Sequence, residues 1–217
     1  MAGYSRSPNV LKGGFVVMDA EGKQVLRVHT FQYNPDTLSR TLSSRGAVTT
    51  AGDNFEGLRL TGPPVETIAF EIEFDATDAL EHPNDNAATV EHGIAPELAA
   101  LETFITPLVD KIVESYGLAD RGVIEIFPEP GEMLLLVLGP ARILPVRITG
   151  FNITEEAFDL RLNPILAKVS FTFQVLGTDD LAFSGKAAEM FLAHLKRREG
   201  LVAELGGSLR SLGLETI

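Results

Sequence analysis

The chain contains no cysteine and no tryptophan. Without cysteine there is no disulfide framework, no thiolate metal site and no cysteine nucleophile. Long hydrophobic runs are also missing: the longest apolar stretch, Met133 to Leu138, is far too short to span a bilayer. Met1 to Gly14 lack the basic start and apolar run of a secretory signal. The expectation is a soluble protein that stays in the cytoplasm unless it leaves with a larger particle. A further absence is local. Residues 60–110 hold eleven acidic and no basic residues, and so supply nearly all of the net charge of −12. Such a segment argues against nucleic acid, whose phosphate backbone needs clustered Lys and Arg. It permits a basic partner or mutual repulsion between copies, with a solvated acidic face as the simpler reading.

What is present reads as a folded domain. At 217 residues, 45% hydrophobic and 22% charged, the chain suits one domain, or one with an appendage, and can bury a core without disulfides or metals. Phe15 to Met18, a turn at Asp19–Gly22, and Val25 to Tyr33 predict a hairpin. Pro35 ends the second strand, and the polar, glycine-rich stretch from Ser43 to Pro64 predicts a long loop. Thr67 to Asp75 alternates Ile68, Phe70, Ile72 and Phe74 with polar residues, and Lys168 to Leu176 alternates Val169, Phe171, Phe173 and Val175 likewise. Strands with one apolar face each must cover one another or a helix, which places Phe70, Phe74, Phe171 and Phe173 in one core. Pro96 to Tyr116 has helical spacing through Leu98, Leu101, Ile105, Leu108 and Ile112, with Pro107 expected to kink or split it. Met133 to Leu138 and Ile143 to Phe151 predict strands flanking a Gly139-Pro140 turn. A last helix is predicted over Lys186 to Leu205, with Phe191, Leu195, Val202 and Leu205 on its stripe and Gly206-Gly207 after it. The fold class is therefore mainly β with two helices (α+β), an antiparallel sandwich or barrel with a packed helix and a C-terminal helical extension. Residues 1–182 form the β domain, and residues 183–217 form the amphipathic helix and tail.

Signals for chemistry are sparse. Ser184-Gly185-Lys186 is followed by Ala187, so it lacks the hydroxyl of a phosphate loop, and no strand feeds a glycine-rich turn there. No G-x-S-x-G elbow is present, and no histidine stands in a motif with a nucleophile. His82 and His92 lie among Asp75, Asp78, Glu81, Asp85 and Glu91, a ligand-rich segment without the spacing of a known metal motif. Pro83-Asn84-Asp85-Asn86 is ordinary turn chemistry, so a solvated loop is expected there. His29 and His194 read as structural. Glu155, Glu156 and Asp159 lack neighbours that would split their pKa values for acid–base work, so a solvated bend is expected. The 13 Phe fall mostly on apolar strand faces, as core residues do. No catalytic residue, cofactor or metal is assigned.

Several segments together resemble a known family. FQYNPDTLSR, Phe31 to Arg40, is similar to the N-terminal signature of tube and tube-to-baseplate adaptor proteins of contractile injection systems. These are phage-tail-like particles that drive a rigid tube through a target envelope. Gly139-Pro140 and the stretch ILPVRITGFNITEEAFDLRLNPILAKVSFTFQVL, Ile143 to Leu176, resemble the family's later pattern, and HGIAPELAALETFITP, His92 to Pro107, fits its central helical segment. The likeness covers roughly residues 11–178. It marks Phe31, Tyr33, Asn34, Pro35, Gly139, Pro140, Pro145, Asn163 and Pro164 as motif and turn positions. It implies a phage-tail tube type of β domain, and a structural, non-enzymatic role in a six-membered ring between the inner tube and the spike hub. The implied partners are further copies of the chain, the inner tube protein, the spike hub and other baseplate proteins, without insertion into a membrane. Adaptors of this kind often end in a LysM-type module. Here residues 183–217 take its place, which argues against peptidoglycan binding.

Two other classes of function compete: a metal-assisted hydrolase using segment 75–92, and an envelope-binding module. The dense basic run Lys196, Arg197 and Arg198, set against the acidic segment, suggests a C-terminal helix that docks onto neighbouring copies or layers. The competing reading folds that helix back on its own domain.

Overall fold

The computed structural model describes residues 10–45, 60–107, 109–120, 131–180, 185–207 and 209–215. Seven strands form one antiparallel sheet in the order β2-β1-β5-β6-β7-β4-β3: β1 Gly14–Met18, β2 Val25–Thr30, β3 Leu38–Ser43, β4 Val65–Asp75, β5 Met133–Val137, β6 Ile143–Phe158 and β7 Pro164–Val175. Among the described residues five helices accompany it: α1 Thr77–Leu80, α2 Ala87–His92, α3 Ala95–Glu102, α4 Val109–Asp120 and α5 Lys186–Val202, with a final 3-10 turn at Leu209–Leu212.

The α+β class and the antiparallel sheet match the sequence reading, while several details correct it. Thr67–Asp75 and Lys168–Leu176 do not face each other across a core. They are neighbours in one sheet, β4 against β7, with Phe70 opposite Phe171 and Ile68 opposite Phe173. The expected two helices are five, because the segment read as a solvated loop holds α1 and α2. The expected single helix over 96–116 is split, α3 ending before Pro107 and α4 starting after it, as the missing N–H and ring of proline demand. Of its predicted stripe, Leu98 and Leu101 are buried and Ile105 is exposed, while Leu108 lies outside the described residues. The predicted strand to Tyr33 stops at Thr30, and β3 follows it unforeseen. The predicted bend at Glu155-Glu156 lies inside β6, which runs on to Phe158 against β7 with register shifts between Glu155 and Ala157 and between Ala157 and Phe158. Most of the long loop predicted over Ser43–Pro64 lies outside the described residues.

The sheet curls strongly. Phe15 in β1 and Phe171 in β7 are three strand positions apart, ~14 Å on a flat sheet, yet their ring centroids are 5.3 Å apart. Phe31, just past β2, comes within 5.7 Å of Phe70 on β4, the next-to-last strand at the far side of the sheet. The curl wraps one face around a core of Phe15, Phe31, Phe70, Phe74, Phe171 and Phe173, into which α3 inserts Leu98 and Leu101. The four phenylalanines that the alternation assigned to one core therefore share it. Gly14 permits the close approach of β2, because a Cβ there would sit 2.4 Å from the His29 carbonyl oxygen.

Of the two readings of the C-terminal helix, a docking element off the core and a helix folded back on its own domain, the second holds. α5 packs on the sheet: Ala187, Ala188 and Phe191 are buried, and Phe191 belongs to the main core. Ala187 and Met190 also cover Met18, Met133 and Leu135, which makes the short central strands β1 and β5 apolar on both faces. The helix ends at Val202 and not at Leu205, and Val202 and Leu205, placed on the stripe by periodicity, are exposed.

Candidate functional site

The segment from Phe31 to Pro35 lies where the curl closes. Phe31 is buried in the core, and its N–H donates to the Gly13 carbonyl at 2.9 Å. Gln32 turns its amide across to the end of β4. Its Nε2 donates to the Asp75 carbonyl at 2.7 Å, and its Oε1 accepts from the Asp75 N–H at 3.0 Å. One side-chain amide thus acts as a backbone peptide would, bridging strands that stand far apart in the ladder. Asn34 repeats the device on the other side: Oδ1 accepts from Gly13 N–H at 2.8 Å and Nδ2 donates to the Leu11 carbonyl at 2.9 Å. Tyr33 points outward and half-exposed, and Pro35 leads into β3. The signature is a structural clasp. Sequence reasoning marked Asn34 but missed Gln32, since nothing in a lone Gln shows which backbone it will meet.

Removing the Gln32 amide should therefore cost more than an ordinary surface change. Gln32→Ala leaves a partly buried N–H and C=O of Asp75 without their partner, an expected loss of about 1–3 kcal/mol. Urea unfolding checks this. A midpoint equal to that of the parent would show that water replaces the amide at no cost.

The other positions are turns that set strand register, except Pro145, which lies within β6. Gly139, at φ +87°, and Pro140 form the turn from β5 to β6, and Pro145 is fully buried in β6 with its carbonyl accepting from Leu176 N–H at 2.9 Å. Asn163 donates through Nδ2 to the Glu91 carbonyl and to Asp159, both at 2.9 Å. The Pro164 carbonyl accepts from Ile94 N–H at 2.8 Å. Gly93, at φ +61°, makes that contact possible, because a Cβ would lie 2.1 Å from the same carbonyl oxygen. The Asn-Pro turn thus fastens the β6–β7 hairpin to the helices α2 and α3.

A second polar cluster ties α5 to the sheet. Glu66, the buried charged residue at the start of β4, accepts from Arg40 Nε at 2.7 Å and lies 3.4 Å from Arg198 Nη1. Arg198 of the predicted docking run therefore serves an internal contact, while Lys196 and Arg197 are exposed. His194 sits over this cluster with both ring nitrogens buried and unpaired. Burial pushes its imidazole below the ordinary value. Glu66 pulls the other way, and Arg198, Arg40 and Arg142 add to the lowering. His29 is lowered too, first by burial and then by Arg27, and its ring packs edge-on against Phe104 at 5.1 Å.

The remaining candidates do not converge on a reaction centre. Among the described residues, no three of His, Asp and Glu are grouped where they could hold a metal ion. His92 faces its neighbour Glu91 at 3.9 Å with both side chains exposed. Glu156 pairs with Lys168 at 3.0 Å, and Asp159, below the usual carboxylate range through its hydrogen bonds from Asn163, holds the hairpin turn. Two recesses of about 200 and 220 Å3 share the wall of Phe31, Phe74 and Glu97 and fall under the usual size of small-molecule sites. No described helix is long and apolar enough to cross a membrane. No protein-family model and no curated protein matches the chain.

Proposed function

We propose that the chain is a structural subunit of a contractile injection system, a ring-forming tube or tube-to-baseplate adaptor of the phage-tail tube type, joining the inner tube to the spike hub. The observation that carries the reading is the clasp. Phe31, Gln32 and Asn34, the heart of the segment that resembles the family signature, all work to hold one curled sheet whose edge strands β2 and β3 pair with no further strand among the described residues. Open edges are a hazard in a monomer and an asset in a ring, where each edge meets the next copy. Edge strand β2 exposes Val25, Leu26 and Val28, and α4 exposes Val109, Val113 and Tyr116 at spacings of four and three, on one helix face. Six copies joined through such surfaces would form the hexameric ring, in contact with the inner tube protein, the spike hub and other baseplate proteins.

Native mass spectrometry and negative-stain microscopy test this. The expected result is a six-copy ring, reduced to monomer by Val28→Lys, which adds a charge to the open edge without touching the core. A monomer at all concentrations, or one loaded with a divalent metal, would overturn it.

A further inference from the structure

The seated face of α5 carries Phe191, His194, Leu195 and Arg198 at helical spacing. Phe191 and Leu195 pack into the main core, and Arg198 reaches Glu66. His194 is the residue left over. Its Nδ1 and Nε2 are both shut off from solvent, and neither has a hydrogen-bond partner among the described residues. A neutral imidazole has one N–H to give and one lone pair to fill. Here both go unused, which is a cost the fold carries at this position.

The charges that act on the ring come from four places. Glu66 of β4 is acidic, while Arg40 of β3, Arg142 in the turn before β6 and Arg198 of α5 are basic. The other charged residues of these elements are engaged elsewhere. Glu71, Lys168 and Arg147 alternate with core residues and bond Ser170, Glu156 and Gln174 on the face away from the core. On α5 itself Lys186 pairs with Glu189, and Lys196 and Arg197 are exposed.

Glu66 is already fully used. Its side chain is 4% exposed, Oε1 takes Arg40 at 2.7 Å, and Oε2 lies 3.4 Å from Arg198 Nη1. A proton on His194 would add a fourth cation around this one carboxylate, at nitrogens that water does not reach. The charged ring would hold two N–H donors and find no free acceptor for either. Burying such a charge is expensive.

We infer that His194 makes the seat of α5 sensitive to protons: acid weakens the hold of the helix on the sheet, and neutral solution restores it. A proton binds the ring more readily when the helix is lifted and the imidazole meets water, so proton uptake and seating oppose each other. Burial above all, then Arg198, Arg40 and Arg142 against the opposing pull of Glu66, hold the seated imidazole below its ordinary value. Above that ordinary value, about pH 6.5, both states are neutral and the seat has its full strength. As the pH falls below it, the lifted ring charges while the seated one does not, and strength is lost until the lower, seated value is reached. What acid loosens is apolar, since α5 covers Met18, Met133 and Leu135 and gives Phe191 to the core. One proton shifts the balance by at most about tenfold per pH unit, so the lifted helix is a minor state whose opening hydrogen exchange can read.

Hydrogen exchange of the α5 amides at about pH 7.5 and about pH 5.5, either side of the ordinary imidazole value, tests this after correction for the intrinsic pH dependence of exchange. Opening of α5 in the parent is expected to grow on acidification by up to about tenfold. In His194→Gln, whose side chain is polar but does not titrate, the growth should shrink to what other groups supply. His29, whose Nε2 is also buried, contributes equally to both proteins and cancels in the comparison. An α5 that opens alike at both pH values, or a variant that answers acid as the parent does, would overturn the inference. A second measurement needs no variant. Followed by NMR in the folded parent, the His194 ring should still be neutral at about pH 6, below its ordinary value. A ring that charges at the ordinary value while the helix stays seated would be equally decisive against the inference.

Discussion

Phe171→Ala is expected to lower the stability of the protein by about 3–5 kcal/mol, the range for truncating a buried aromatic in a core that cannot collapse. Phe171 is 2% exposed and has four aromatic neighbours, Phe15, Phe70, Phe151 and Phe173, with ring centroids at 5.2 to 5.9 Å. These rings come from four strands, β1, β4, β6 and β7, so the cavity would open where the curled sheet meets itself. The loss combines the transfer of a large apolar side chain with the aromatic contacts, each worth about 0.5–1.5 kcal/mol beyond area. Urea unfolding should show a lower midpoint at unchanged slope. Phe158→Ala, on the exposed hairpin tip, should change stability by less than about 0.5 kcal/mol, and so serves as the control. Equal effects from the two would mean that the core is not centred on Phe171.

Local pattern reached the strands with one apolar face, and through them the core. Alternation placed Phe70, Phe171 and Phe173 correctly, and Pro107 divided its helix where a missing N–H must. The same logic could not say that β4 and β7 are neighbours, because period-2 alternation fixes a face and not a partner. Leu38–Ser43 escaped notice since its exposed, polar residues have only the β4 edge to satisfy, and an edge strand needs no second apolar face. Helices α1 and α2 hid in the acidic segment because, being four and six residues long with no buried residue, they have no stripe to read. The clasp was half legible. Asn34-Pro35 announced a turn, but the Gln32–Asp75 bridge joins residues 43 positions apart and depends on a curl that no local rule encodes. The acidic bias was visible as eleven acids and no Lys or Arg across residues 60–110.

Truncation after Gly185 is expected to destroy the native fold, and not merely an assembly contact. Removing α5 takes Phe191 and Leu195 out of the main core and uncovers Met18, Met133 and Leu135 on the back of the sheet. Burial of a single Phe or Leu side chain contributes about 1.5–3 kcal/mol, so losing this set rivals the 5–15 kcal/mol that holds a typical domain folded. The deletion also strips Arg198 from Glu66, leaving that buried carboxylate to Arg40 alone. Two single substitutions separate packing from charge. Phe191→Ala should cost about 3–5 kcal/mol. Arg198→Ala should cost less, because its guanidinium is 38% exposed at the side chain and Arg40 is closer. Circular dichroism and urea melts of the truncated chain decide the matter. A cooperative transition at the parental midpoint would show that α5 is an appendage after all, with its apolar face available to a partner. Loss of the transition, with aggregation through the uncovered methionines and Leu135, would place the helix in the domain. The surface left to assembly would then be the exposed far side of α5, where Lys196 and Arg197 stand, and the leucines beyond its last turn.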